Sequence, residues 1–429
     1  MKEDFNRSAF DGFRETSLYY MGKMDLWYGF ACHGIDMLTR GGILSFIAQN
    51  NWTTSAGAKK LRNCVISKTM ILQLLDFNEY MVFSGSASIQ TMIMLFKRND
   101  DEDNYTFDLR SLGSSADNSD VQSMLNLQTN SNISVQSPII SRHAYLNRFL
   151  TFSSQEDLLK RISEGKFYLT DKEATNGIHP HYDFVNSKIH KLHPEVAIGE
   201  GIFGLTFSEK AKLNLSPEEE SLIKPYYTSN EIHHYYTEKH NELWLIYTTS
   251  DFKNPTSMEA YPNIKRHLDR YQNIITSCNK PYGLHRSRNE NFFIGEKIVA
   301  LRKCPGSPLF SYSDFDCYVS AAFYVIKSDR WDMKFLTGIL CSNVVKFWLK
   351  NKGKMQGANY QLDKEPLSMI PLPDPSVNQG SISSLVQNII EGKRENPNFD
   401  SSELEKKINA EVYAIYGLDT TDISIIEEV

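Results

Sequence analysis

The sequence predicts an α/β protein that combines about half of a doubly wound sheet, a larger mixed α/β domain and a helical tail. Near the amino terminus, helical periodicity and short apolar runs follow one another as helix, strand, helix, strand, strand, an order typical of α/β proteins. Further along, aromatic side chains, prolines and short β-like runs dominate. We therefore predict parts at 1–98, 99–165, 166–375 and 376–429.

The amino-terminal elements follow from residue spacing and from glycine. Apolar side chains recur at helical spacing over 24–39, and Gly41-Gly42 ends this helix because glycine enters the left-handed cap conformation without steric cost. The continuously apolar run 43–48 predicts a strand that is covered on both faces. The remaining elements predicted here are a helix over 56–68 and buried strands over 70–77 and 89–96.

The later elements are less regular. Residues 99–137 are rich in Asp, Asn and Ser, which predicts a loop or domain boundary with one short strand at 105–109. In the domain that follows, β-like runs at 243–247, 297–301 and 318–326 are interspersed with helical stretches at 261–275 and 332–350. Pro371, Pro373 and Pro375 make a stiff exit, and helices over 381–392 and 402–416 are predicted to pair on the domain surface.

Composition excludes several classes of protein. Hydrophobic residues make up 41% and aromatic residues 12% of the 429 residues, a globular balance. No apolar run approaches the roughly 18 residues that a membrane span needs. Six scattered cysteines without a Cys-x-x-Cys pair predict reduced thiols in a cytoplasmic protein. The net charge of −6 is an average, so local patches decide whether nucleic acid binds.

Two motifs point weakly to ligands. The string from Gly199 to Gly204 matches the dinucleotide fingerprint G-x-G-x-x-G, but a strand-like segment follows where the fingerprint needs a helix. We therefore interpret it as a chance match. Four histidines lie close together in sequence without the usual Cys, Asp or Glu partners, so solvated histidines are favoured over a metal site: His179, His181, His190 and His193.

Two basic patches carry more weight. The segment 278–304 holds six Lys or Arg residues against two Glu residues, with Tyr282 beside several donors. The segment 343–361 holds four lysines and no acid, and it ends in glycines and amides that suit close approach to a base edge. A solvated basic face is the alternative interpretation of both patches.

At these residues the chain resembles a known family. Read in order, its strings resemble the gamma-class N(6)-adenine DNA methyltransferases with a TaqI-like C-terminal specificity domain, and the closest subgroup is the type IIG restriction–modification proteins. The matching strings run over nearly the whole chain: Lys23 to Phe30, Leu38 to Ile47, Asn50 to Trp52, Leu61-Arg62, Leu75 to Phe77, Phe83 to Thr91, Lys224 to Thr228, Tyr261 to Lys265, Pro281 to Arg288, Gly353 to Pro373 and Val412 to Leu418.

The resemblance implies a chemistry that these residues only partly carry. Family members use S-adenosylmethionine and flip the target adenine out of the duplex. Their catalytic tetrapeptide, Asn or Asp before Pro-Pro-Tyr or Pro-Pro-Phe, is absent here because none of the 15 prolines adjoins another. The glycine motif that holds the cofactor is absent too. The resemblance leaves Phe83 as the ring that stacks on the flipped base.

We therefore expect the C-terminal part of such an enzyme, inactive alone and binding no cofactor by itself, with double-stranded DNA as its ligand. The alternative is a non-enzymatic specificity subunit that docks on a separate methylase chain; a carbohydrate- or protein-binding module is a weaker third. The strand at 43–48 should have an open edge that self-associates, is covered by 1–20, or binds the upstream catalytic region. The expected DNA contacts are His285, Arg286, Arg288, Asn289, Lys354, Gln356, Asn359 and Tyr360.

Overall fold

A computed structural model describes residues 7–83, 89–99, 101–152, 155–356 and 358–428. The chain divides into two compact units, one of Met1–Asp157 with Asn351–Gly353 and one of Leu158–Lys350 with Lys354–Val429. The boundary between the units follows Asp157, whereas the sequence predicted boundaries at 98, 165 and 375. The predicted four-part scheme therefore stays a prediction.

Both units contain helices and strands in their described residues. The helices are α1 (Asp11–Thr16), α2 (Leu26–Met37), α3 (Lys59–Lys68), α4 (Asn118–Leu125), α5 (Arg142–Tyr145), α6 (Glu156–Ser163), α7 (Ser187–Leu192), α8 (Phe207–Lys212), α9 (Pro217–Glu220), α10 (Pro262–Asp269), α11 (Met333–Cys341), α12 (Asn343–Lys352), α13 (Lys364–Ser368), α14 (Gly380–Glu395), α15 (Ser402–Tyr416) and α16 (Thr420–Glu427). The strands of the first unit are β1 (Ile43–Gln49), β2 (Thr69–Asp76), β3 (Thr91–Arg98), β4 (Asn104–Thr106), β5 (Asp108–Leu112), β6 (Ile133–Gln136) and β7 (Ile139–Ser141). Those of the second unit are β8 (Ala174–Asn176), β9 (Gly204–Thr206), β10 (Ile223–Tyr227), β11 (Tyr235–Tyr236), β12 (Leu243–Ile246), β13 (Lys297–Leu301), β14 (Lys303–Pro305), β15 (Phe310–Ser313), β16 (Tyr318–Val319), β17 (Phe323–Ile326), β18 (Met355–Gln356) and β19 (Asn359–Gln361).

The main sheet of the first unit is mixed and has the strand order β1-β3-β2-β5-β6, while β4 and β7 form a separate two-stranded sheet. β3 is antiparallel to both β1 and β2, and β2 is parallel to β5. Helices α2 and α3 share a core with this sheet that includes Ile35, Val65 and Met94. The predicted helices and strands of this region are confirmed, and the fold is α/β as expected.

Strand β1 lies at an end of this sheet and pairs, within the described residues, with β3 alone. Its side chains alternate between exposed and half-buried, with Ile43 and Ile47 exposed by 55% and 45%. The prediction of a strand covered on both faces is therefore wrong for one face. The described residues up to Tyr20 pack elsewhere, since Lys60 Nζ of α3 donates to the carbonyl oxygens of Leu18 and Tyr20 at 2.6 Å each.

The segment 99–137 is more regular than the loop or domain boundary with one short strand at 105–109 that its composition predicted, since β4 and β5 overlap that strand and further elements follow. It contributes β5 and β6 to the sheet, joined by α4. The side chain of Asp117 caps α4 by accepting from the backbone N–H of Asp120, and the side chain of Asp120 in turn accepts from the backbone N–H of Asp117. Short polar residues therefore act here as helix caps, which composition alone does not separate from a loop.

The second unit holds sheets of order β16-β10-β12-β9, β11-β15-β13-β17-β8 and β14-β19-β18. Helices α11, α14 and α15 pack into the core of the five-stranded sheet, so the predicted helical tail is part of this unit. The predicted helix at 332–350 is broken at Ser342 into α11 and α12. The glycine string at 199–204 leads into β9, and the N–H of Gly201 donates to the carboxylate of Glu209 at 2.8 Å. An acid of this chain thus occupies that turn, as expected of a chance match.

Candidate functional site

The first basic patch forms a loop that is tied to the neighbouring strand region. The backbone N–H of Arg286 donates to the carbonyl of His179 at 2.9 Å, and the N–H of His179 donates to the carbonyl of Arg286 at 3.0 Å. Leu284, fully buried, anchors the start of the loop. The Arg286 side chain is exposed, and its guanidinium makes no hydrogen bond or ion pair within the described residues. A complete guanidinium fork is therefore free to meet a ligand.

Arg288 is held in a different way. Its Nε donates to the carbonyl of Gly177 at 3.2 Å and its Nη2 to the Oδ1 of Asn176 at 3.3 Å. Its backbone lies in the left-handed region with a φ of 68°, a conformation that costs a non-glycine residue about 1–2 kcal/mol. Burial, followed by the charge of Arg286, lowers the pKa of Arg288. Such strain is kept where the surroundings fix a side chain for a purpose.

A cavity of about 410 Å³, here called the Arg288 cavity, opens beside this guanidinium. Three cations, one carboxylate, an aromatic ring and small polar side chains line it, so it suits an anionic ligand. Its lining residues are Asp171, Ala174, Thr175, Asn176, Arg288, Arg302, Tyr324 and Lys364.

The structure brings the two basic patches together through one carboxylate. Asp363 Oδ1 accepts from Nε and Nη2 of Arg302, at 3.1 and 2.6 Å, and Asp363 Oδ2 accepts from Nζ of Lys354 at 3.0 Å. Strand β19 lies between β14 and β18, which places the ends of the two patches in one small sheet. Sequence reasoning missed Asp363 because it lies just outside the acid-free window. Burial would raise the pKa of Asp363, but its interactions with Arg302 and Lys354 outweigh burial and lower the pKa.

The other predicted contacts of the second patch divide into exposed and buried. Gln356 and Asn359 are exposed on paired strands, and the amide of Gln361 donates to the side chain of Gln356. Tyr360 is only 3% exposed and belongs to the core. Its ring packs inside the domain, so we remove Tyr360 from the DNA contacts. In a short strand, alternate residues face opposite sides, which sequence reasoning did not take into account.

His285 and Asn289 also have local partners. The rings of His285, His179 and His181 lie 5.2–5.9 Å apart between centroids, an arrangement here called the histidine triangle. Burial, followed by the neighbouring histidine and arginine charges, lowers the pKa of His285. Asn289 is exposed, and its Oδ1 accepts from the N–H of Asn291. In the described part of the chain, no His, Cys, Asp or Glu cluster suits a metal ion.

In the first unit, polar side chains meet where β1 and β2 end. Asn50 Nδ2 donates to Asp76 Oδ1 at 3.0 Å, and burial raises the pKa of Asp76. Phe83 lies beyond β2 and is 47% exposed, so its ring is open to a stacking partner.

Two family models match this chain. Residues 2–83 match the Eco57I restriction-modification methylase, and residues 224–372 match the TaqI-like C-terminal specificity domain. Each model covers less than half of the chain. Together with the fold, these matches show that the chain is similar to part of an Eco57I-type restriction–modification methylase followed by a TaqI-like specificity domain. The complete methylases of this family imply S-adenosylmethionine as the methyl donor.

Individual relatives are distant. The type II methyltransferase M.BstVI of Geobacillus stearothermophilus is 20% identical over 432 residues, which span 97% of this chain and 71% of that protein. The type IIL restriction-modification enzyme MmeI, solved in complex with DNA, superposes with a TM-score of 0.58 at 14% identity over 97% of this chain. The type IIG restriction endonuclease BpuSI gives a TM-score of 0.34 at 12% identity over 97% of this chain.

The likeness to MmeI shows the fold. This chain spans 54% of the MmeI chain and 52% of the BpuSI chain, about half of each structure. None of the helices in the described ranges combines the length and apolar character that a membrane span requires.

Proposed function

We propose that this chain reads a DNA sequence through 166–375 and supplies the second half of the catalytic fold of an adenine-specific DNA methyltransferase. The observation that carries this proposal is the cationic surface formed by Arg286 and by the Arg288 cavity, whose three cations Arg288, Arg302 and Lys364 lie inside the range that matches the specificity domain. The MmeI structure contains DNA, which supports DNA as the ligand here. Arginine forks read guanine edges and phosphates.

The catalytic part of the proposal concerns what these residues lack. S-adenosylmethionine would supply the methyl group in the complete enzyme, but the glycine motif by which the family holds it is absent from this sequence. The tetrapeptide that would hold the target amine is absent from the sequence. We therefore propose that the chain alone binds no cofactor and transfers no methyl group, and that the remaining catalytic residues come from an upstream region. The exposed ring of Phe83 is left to stack on the flipped base, a contact worth ~1–3 kcal/mol.

Strand β1 supports a catalytic partner that docks beside it, since its outer edge is unpaired in the described residues. The same edge fits a second candidate, a non-enzymatic specificity subunit that docks on a separate methylase chain. The genomic DNA upstream separates the two. An encoded Asn-Pro-Pro-Tyr in frame, or one frameshift away, favours the first candidate, whereas a complete methylase gene favours the second.

DNA reading is tested by selecting bound duplexes from a randomised library with the full chain and with Arg286→Ala. We expect the wild-type chain to select a motif. The variant should lose ~1–3 kcal/mol at one position of that motif, since a bidentate guanine contact disappears. Arg266→Ala, an exposed arginine on α10, is the matched control. A wild-type chain that selects nothing would refute DNA recognition, and an Arg286→Ala profile equal to wild type would make this patch a solvated face.

A further inference from the structure

The Arg288 cavity carries an excess of fixed positive charge. Three cations line the cavity, namely Arg288, Arg302 and Lys364. A fourth, Lys354, pairs with Asp363, which also pairs with Arg302. The two carboxylates that pair with these cations are Asp171 and Asp363. The excess is two positive charges. Asp363 holds Arg302 and Lys354 in the wall, while Asp171 pairs with Lys364 at 2.8 Å where both side chains are half exposed or more.

The guanidinium groups of the cavity are bound by the protein itself. Arg302 donates from Nε and Nη2 to Asp363 and from Nη1 to the carbonyl of Ala321 at 2.9 Å, so three of its five N–H donors hold it in place and two remain. Arg288 uses Nε and Nη2 on acceptors of 176–177. These groups therefore act as positioned charges whose side-chain entropy was lost on folding rather than on binding.

Arg286 differs in the same loop, because its fork is unused within the described residues. Reading a guanine edge needs two free coplanar donors, whereas holding a phosphate needs charge and single donors. The two arginines are thus suited to different parts of one nucleic acid. Arg286 suits a base edge, and Arg288 suits the backbone.

We propose that the Arg288 cavity binds a phosphodiester group of the DNA backbone, with Arg288, Arg302 and Lys364 as the contacts. Asn176 and Asp363 are positioning residues for the two arginines. The ion pair of Asp171 and Lys364, here called the rim pair, determines the strength of the contact, because Asp171 competes with the phosphate for Lys364. This inference rests on the proposed DNA recognition and adds which residues hold the backbone and which read the sequence.

The rim pair provides a test with opposite signs. The full chain is titrated with the duplex that it selects and with a scrambled duplex of equal length, at several salt concentrations. Lys364→Gln should weaken binding to both duplexes about 5-fold near 0.15 M salt and reduce the salt slope by about 0.9, the loss of one phosphate contact. Asp171→Asn should strengthen binding to both, because Lys364 is released. Lys406→Gln, which removes the charge of an exposed lysine paired with Glu403 on α15, is the matched control.

Each outcome decides a different claim. Opposite shifts in the two rim variants on both duplexes support the phosphate contact, since loss of a merely structural ion pair would act alike from either side. Rim variants that both follow Lys406→Gln overturn the cavity proposal while leaving DNA recognition by Arg286 intact. A loss confined to the selected duplex also overturns it, because it would mean base reading. A wild-type chain that binds neither duplex overturns the proposed function and this inference together.

Discussion

The two units of the molecule differ in the kind of side chain that they expose at their surfaces. Among the described residues, eleven large apolar side chains are exposed in the first unit and six in the second, although the second is larger. Four of the exposed apolar side chains lie on α2 and β1, and they include Phe30 and Met37, exposed by 63% and 73%. The second unit instead presents ordered charges around the Arg288 cavity. Apolar exposure and an unpaired strand edge suit assembly with more protein, whereas ordered charge suits DNA.

The largest expected effect tests the first half of this comparison. The purified chain should transfer no methyl group to duplex DNA and should show no calorimetric binding of S-adenosylmethionine at micromolar concentration. The reason is that the sequence lacks both the glycine motif by which the family holds the cofactor and the catalytic tetrapeptide. Adding an upstream region that carries both motifs should restore methylation. Micromolar cofactor binding by this chain alone would contradict the prediction.

The second unit should depend strongly on one buried carboxylate. Glu173, 9% exposed, accepts bonds from Arg330, Ser328 and Thr170. Burial alone would raise its pKa, but these bonds outweigh it and lower the pKa to about 2 from the ordinary 4.5. Glu173→Gln should therefore cost about 2–3 kcal/mol of unfolding free energy at pH 7.

The pH dependence of that effect has a defined sign. Because the folded-state pKa is the lower one, the stabilisation is complete above pH 4.5 and is lost as pH falls toward 2. Urea unfolding at pH 7 and pH 3 measures the difference between wild type and variant, which should shrink at pH 3. Glu259→Gln, at an exposed position, is the control. Equal destabilisation at both pH values would mean that Glu173 contributes packing rather than charge.

The edge of β1 should mediate assembly of the free chain. Residues 7–20 pack against α2 and α3, so self-association or an upstream partner remains for the open edge. Ile47→Lys places a charge on this strand and should reduce self-association several-fold, measured by light scattering against concentration. Ile139→Lys, at an exposed isoleucine of β7, is the matched control. A wild-type monomer with strong amide protection across 43–48 would show that this edge is already satisfied.

The amino-terminal fold could be predicted from the sequence, whereas much of the site could not. Helical spacing and short apolar runs are local signals, so α2, β1 and β3 were predictable. The partner of a charged side chain is a long-range property. Asp363 lies just beyond Lys354 in sequence but far from Arg302, and Asn176 lies far from Arg288, so these contacts have no sequence signature. Tyr360 was assigned to the surface because its neighbours are polar, but its position in β19 points it into the core.

The smallest expected effect lies in the histidine triangle. Burial comes first among the causes that lower the pKa of His179 and of His285, and it is followed by repulsion from the surrounding positive charges. The titratable and charged groups around the triangle are His179, His181, His285, Cys278, Arg286 and Arg288. A DNA phosphate near Arg288 would relieve that repulsion and raise the pKa of a ring, so binding would take up a proton. DNA affinity should then rise as pH falls from 7.5 toward 6, by no more than about tenfold, the limit for one proton whose pKa moves by about one unit.

His285→Gln should flatten this dependence, while His240→Gln, at an exposed histidine outside the triangle, should not. If the pH dependence of DNA affinity is unchanged in His285→Gln, then protonation of the histidine triangle does not contribute to DNA binding.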